Sequence, residues 1–310
     1  MAAFSLKRSD HAGHWDHECL EKLDGQITKA DSNSWLLAGT DENKARTTIT
    51  TDPNWLVVER TIPGCRVTRL ARMLRRTRTL LNPGFSPISG ARAVLSPGRN
   101  EVWIRAEYPV LQSSSDSRTL LIEWIKRACA DVAHCAAGVR TTTSGFYTKE
   151  VDQSSASIEL DITELCRLAG CKARVQSTSD EVVIELPNRE AGVFHAVATA
   201  EANAVRISVG LAGIEDGDRA PACRAALVIA LLRTAGSVHL VRSTATEEGG
   251  RIAAALEVTL QMPVYIEAFN NALSALTFAC QRAASELDML AGDHSLARAY
   301  LVMQGASWGR

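Results

Sequence analysis

Two periods of apolar residues alternate along the chain, and they take turns in the same order twice. Cys19, Leu20, Leu23 and Ile27 fall at helical spacing, which predicts a short helix over Asp16–Ile27. Strands are then predicted at Ser34–Thr40, Lys44–Thr51 and Trp55–Ile62, separated by the turns Asp41-Glu42-Asn43 and Asp52-Pro53-Asn54. Val67, Leu70, Ala71, Leu74 and Leu81 share one face of a helix over Val67–Leu81, which Asn82-Pro83-Gly84 ends. Strands Ile88–Leu95 and Glu101–Tyr108 and a helix over Arg118–Ala137 complete the first unit, in the order α-β-β-β-α-β-β-α.

The second half follows the same plan. A helix at Ile162–Ala169 precedes strands at Lys172–Ser177, Glu181–Leu186, Val193–Thr199 and Val205–Leu211. A helix at Pro221–Ala235, strands at His239–Thr246 and Arg251–Met262, and a long helix from Pro263 to about Leu290 follow. Corresponding elements lie roughly 150 residues apart, a domain-sized period and not that of a solenoid. Residues 141–157, rich in Ser and Thr without apolar periodicity, read as the linker between units at 1–140 and 158–310.

The last strand of each unit tells which side is buried. Val102, Ile104, Ala106 and Tyr108 alternate with Glu101, Trp103, Arg105 and Glu107, and Ile252, Ala254, Leu256, Val258 and Leu260 alternate with Arg251, Glu257 and Gln261. Such two-residue periodicity predicts antiparallel sheets with one face on a core. The fold class expected is α+β, in two tandem units with a curved sheet and helices on one face.

This order of elements resembles the fold of class I type III secretion chaperones and of related sensory-transduction-regulator proteins, over roughly residues 14–138 and 159–291. No family motif matches residue by residue, so no functional residue is carried over. The chain departs from such chaperones in being a near-neutral tandem repeat rather than a short acidic homodimer. The resemblance implies a monomer with an internal pseudo-dimer, or a homodimer, and a polypeptide segment as partner.

Composition supports a packed globular chain, with 46% hydrophobic and 22% charged residues. Ala225–Leu232, the longest strongly apolar run, is far short of the roughly 18 residues a membrane span needs. The start MAAFSLKRSD has no apolar signal core, and the eight cysteines lack paired spacing, so a cytoplasmic, reducing setting is expected. Residues 1–150 carry 21 Lys/Arg against 16 Asp/Glu, and residues 151–310 carry 13 against 19. Halves of opposite sign attract one another, and this balance argues against nucleic acid as the partner.

No catalytic constellation stands out: CxxC, HExxH, phosphate-loop and dinucleotide fingerprints are all missing from the sequence. His11, His14, His17 and Cys19 are the densest cluster of metal-ligand types, but three-residue spacing gathers them poorly. Gly305–Gly309 matches G-x-S-x-G, yet only Arg310 follows, where a nucleophile elbow needs a helix. Glu215, Asp216 and Asp218 lack calcium-loop spacing, and Asp218 suits a helix cap. Cys166 and Cys171 stand five apart with no matching pair elsewhere.

Arg66, Arg69, Arg72, Arg75, Arg76 and Arg78 crowd one helix, either as its wet side or as a grip for an acidic or phosphate-bearing partner. Five of six tryptophans lie in the first half, and Trp55 and Trp103 sit on the outward side of their strands. Large amphipathic rings on an outer sheet face suit partner capture, unless the second half covers them. The expectation is therefore a non-enzymatic, cofactor-free, chaperone-like or adaptor protein binding a polypeptide. Its expected contact residues are Trp35, Trp55, Trp103, Arg69, Arg72, Arg75 and Arg76. The competing expectations are a metal protein or unrecognised enzyme using His11–Cys19, and an anion or nucleic-acid binder using the Arg66–Arg78 helix.

Overall fold

In a computed structural model the described residues are 27–31, 33–37, 47–52, 55–69, 81, 90–95, 100–109, 117–140, 161–176, 181–188, 192–201, 204–215, 220–248 and 251–306. They form an α+β fold with two antiparallel six-stranded sheets. The first sheet contains β1 (Ile27–Asp31), β2 (Ser34–Leu37), β3 (Thr47–Asp52), β4 (Trp55–Arg66), β5 (Arg92–Leu95) and β6 (Glu101–Pro109). The second contains β7 (Ala173–Val175), β8 (Val182–Pro187), β9 (Val193–Glu201), β10 (Ala204–Glu215), β11 (Arg242–Glu248) and β12 (Arg251–Gln261). Strand order is β1-β2-β3-β4-β6-β5 in one and β7-β8-β9-β10-β12-β11 in the other, so each strand has a counterpart in the same place.

Alternation drives both sheets. In β6, Val102, Ile104 and Ala106 are buried beneath helix α1 (Ser117–Arg140), against its Leu121, Ile125, Ala128 and Val132. In β12, Ala254, Leu256 and Val258 are buried beneath α4 (Ile266–Gly292), which presents Phe269, Leu273, Leu276 and Leu287. Each Leu, Ile or Phe fully removed from water contributes about 1.5–3 kcal/mol. The short α2 (Ile162–Leu168) starts at Asp161, whose carboxylate accepts from the Thr163 and Glu164 amides at 2.9 and 3.1 Å.

Helix α3 (Ala220–Ser237) is apolar nearly all round, and its buried residues run from Ala222 through Ala235. A helix of that kind needs partners on every side. It has α4 and α5 (His294–Met303) on one flank and, on the other, both β11 and strand β5 of the first sheet. The two units therefore share one continuous apolar core.

Several expectations need correction. Ile27 opens strand β1 instead of closing a helix; residues 16–26 lie outside the described residues. The expected strand at His239–Thr246 begins only at Arg242, because Leu240 turns the backbone with φ of 67°. The long helix starts at Ile266 and not at Pro263, which follows a cis peptide bond. The tail beyond Leu290 contains α5, started by Asp293, whose side chain accepts from the Ser295 and Leu296 amides. Of the expected helix Val67–Leu81, Val67–Arg69 form a 3₁₀ turn, Leu81 is buried, and residues 70–80 lie outside the described residues, as does the linker.

Candidate functional site at the junction of the two sheets

On the charged sides of β5 and β6, Arg92, Arg105 and Glu107 are turned away from water. Arg92, opposite Arg105 in the ladder, reaches along the sheet to Glu107, its Nη2 donating to Oε2 at 2.6 Å. Their side chains are only 4% and 1% exposed. Arg105 donates through Nε to Glu59 Oε1 at 2.7 Å and through Nη1 to the Gly236 carbonyl at 3.0 Å. The second unit completes the set: the Leu240 amide donates to Glu107 Oε2 at 2.9 Å, and His239 Nδ1 lies 3.1 Å from Oε1. Glu107 is thus held by both units at once.

Electrostatics follow from that crowding. Burial alone would push the Glu107 carboxyl up, but Arg92, then His239, then Arg105 outweigh it and hold the group well below the usual carboxylate range. A carboxylate held this way beside two arginines has little basicity left for proton abstraction. Leu240 keeps a backbone conformation that is costly for a branched residue, and its bond to Glu107 offsets that cost.

Close backbone approach fixes the same junction. A Cβ placed on Gly236 would meet the Leu95 carbonyl oxygen at 2.4 Å, so only glycine lets the end of α3 reach the edge strand β5. Nearby, the Ala245 amide donates to the Leu81 carbonyl at 3.2 Å. The second sheet has its own buried pair, Arg242 with Glu257, on the corresponding strands. Arg92 and Arg242, like Glu107 and Glu257, stand 150 residues apart, so one ion pair is repeated in both units. The balance differs, however: burial raises Glu257 above its ordinary value, and Arg242 and Arg206 only partly oppose it.

Aromatic rings gather where β4 begins and β6 ends. Trp55 stacks on His239 with ring centroids 4.4 Å apart and planes 5° from parallel. On the opposite face of the sheet Tyr108 tilts against Trp124 of α1 at 5.2 Å. Tyr108 is exposed, and Trp55 and Trp124 are half-buried.

The expected contact residues are thus dispersed. Trp35 is buried at 3% exposure opposite Ile49, a core position that removes it from any surface. Trp55 faces the second unit through its stack on His239. Trp103 is half-buried opposite Val94 in the ladder. Arg69 is exposed in the 3₁₀ turn, and Arg66 pairs with Glu101 beside a shallow depression that Thr68 and Asn100 also line. Arg72, Arg75 and Arg76 lie outside the described residues, as do His11, His14, His17 and Cys19. Among the described residues no His, Cys, Asp and Glu trio is placed to hold a metal, and no helix is long and apolar enough to cross a membrane.

Sequence reasoning missed Arg92, Arg105, Glu107 and His239. One signal was available: the spacing of fifteen residues between Arg92 and Glu107 recurs between Arg242 and Glu257.

No family model matches the chain, and no curated protein matches it. Among solved structures, YbjN from E. coli, "a putative transcription regulator", is similar to part of it. That match has a TM-score of 0.29 and 12% identity, and it covers 40% of this chain and 89% of YbjN.

Proposed function

We propose that this protein is a non-enzymatic, chaperone-like or adaptor module that binds a polypeptide segment through its first unit. The observation that supports this reading is the aromatic rim at one end of the first sheet, where the exposed Tyr108 lies against Trp124 on one face and the half-buried Trp55 lies against His239 on the other. Tyr and Trp give large contact area for few lost rotamers, and they dominate the energetic centres of protein interfaces. The titratable groups beside the rim are already bound to one another, which leaves them suited to holding the two units together rather than to chemistry.

The test starts from the immobilised protein, with captured polypeptides identified by mass spectrometry and the main one then titrated in pure form. Trp55→Ala with Tyr108→Ala is expected to weaken that titration at least about 30-fold, the size of a hot-spot loss near 2 kcal/mol. Unchanged affinity in a folded double variant would refute the assignment of the rim.

A further inference from the structure

Helix α2 ends in a turn that brings two cysteines together. The Cys171 amide donates to the Cys166 carbonyl at 2.9 Å, the Gly170 amide donates to the Arg167 carbonyl at 3.1 Å, and Gly170 has φ of 69°. This is the Schellman arrangement, in which the side chains at the two ends of the longer bond meet. The end of α5 shows the ordinary occupants of those places. There the Ala306 amide donates to the Leu301 carbonyl at 2.9 Å across Gly305, with φ of 65°, and both side chains are apolar. In α2 the same two places hold thiols, and both are free.

We propose that Cys166 and Cys171 form a reversible intramolecular disulfide when the protein meets a low-molecular-weight disulfide. A direct backbone bond between the two residues brings their α-carbons within the roughly 4.4–6.8 Å that a disulfide spans. Cys171 is half-buried and Cys166 is 1% exposed, so Cys171 is the sulfur an oxidant reaches first. Its thiolate attacks one sulfur of the oxidant, breaks that S–S bond and expels one small thiolate. Cys166 then loses its proton to water and attacks the Cys171 sulfur, expelling the second thiolate. Two electrons and two protons leave the protein, and the oxidant is reduced to two thiols.

The thiols start from the neutral form. Burial, then the neighbouring Cys171, pushes the Cys166 thiol up to about 11, and burial raises Cys171 as well. Thiolate is the attacking species, so the rate rises about tenfold per pH unit between neutral pH and pH 9. The closed ring spans the turn that enters β7, at the edge of the second sheet furthest from β11 and the junction.

The full chain, treated with glutathione disulfide and digested with trypsin without reduction, reads this directly. Cleavage falls between the two cysteines at Arg167, so the disulfide joins residues 150–167 to residues 168–172. The expected result is that joined pair, formed faster as pH rises, released by dithiothreitol and lost in Cys171→Ser. Cys166→Ala is expected to accumulate glutathione on Cys171 instead. Glutathione persisting on Cys171 in the unaltered protein, Cys166 bonded to a different cysteine, or both sulfurs left as thiols would each overturn the proposal.

Discussion

Trp55 of the first unit and His239 of the second lie face to face, 4.4 Å between ring centroids, although 184 positions separate them in the chain. The contact joins the two units at the point where His239 also approaches the buried Glu107. The imidazole is thus a bridge between an aromatic surface and an ion-pair network, and it couples what β4 presents to how the second unit sits.

Coupling of that kind is measurable. Trp55→Ala, His239→Ala and the double variant should form a cycle with an interaction energy of about 0.5–1.5 kcal/mol, the range of stacked ring pairs. Denaturant titration of the four proteins checks it. Additive losses would mean that the rings merely lie near one another.

Gly236 tests the junction through the backbone. With a Cβ only 2.4 Å from the Leu95 carbonyl oxygen, Gly236→Ala must push α3 away from β5 and stretch the Arg105 bond to the Gly236 carbonyl. Overpacking of this sort costs about 1–3 kcal/mol, more than the helical preference of alanine returns. The expected outcome is a lower melting temperature together with faster proteolysis between the units. A melting temperature equal to the parent's would show that the junction yields freely.

The sheets, α1 and α4 were legible because each buries a side of one clear period, and α3 because it carries a continuous apolar run. Ala254, Leu256 and Val258 point one way along β12, and α3 is apolar on all sides. Strand β1 was not legible, since ITKAD carries a single large apolar residue and Ile27 also completes a helical spacing. The helix α5 was missed although Ala297, Tyr300 and Leu301, all buried, lie at helical spacing after the Asp293 cap. The junction could not be read for a different reason. Charges on the outer side of β6 look like a wet face until another unit covers them, and nothing local says that Leu240 bends with positive φ. Trp55 does leave the first core, but the second unit covers it through His239, and Trp35, named as a contact residue, is buried opposite Ile49.

The repeated ion pair gives a comparison inside one molecule. Glu107 has Arg92, Arg105, His239 and the Leu240 amide around it, whereas Glu257 has Arg242 close by and burial prevailing against its charge. Breaking a buried pair from one side typically costs about 3–5 kcal/mol. Glu107→Gln should fall in that range at neutral pH, and Glu257→Gln below it, because its charged form is already disfavoured. Chemical denaturation of both variants checks the order; equal losses would remove the distinction between the twins.

Acid provides the complementary test, and the two glutamates contribute with opposite sign. Glu107 titrates below its ordinary value of 4.5 in the folded protein, so its stabilisation is complete above that pH and lost as pH falls further. Glu257 titrates above 4.5 when folded, so its protonation on the way down from neutral relieves a penalty and adds stability before that loss sets in. Glu107→Gln, less stable at neutral pH, should therefore show a flatter decline below about pH 4.5 and converge on the parent protein there. Glu257→Gln should instead lack the gain that the parent makes between neutral pH and 4.5. Urea midpoints measured across that pH series decide it: parallel curves for the parent and Glu107→Gln would mean that Glu107 is an ordinary carboxylate, and that the junction does not depend on its charge.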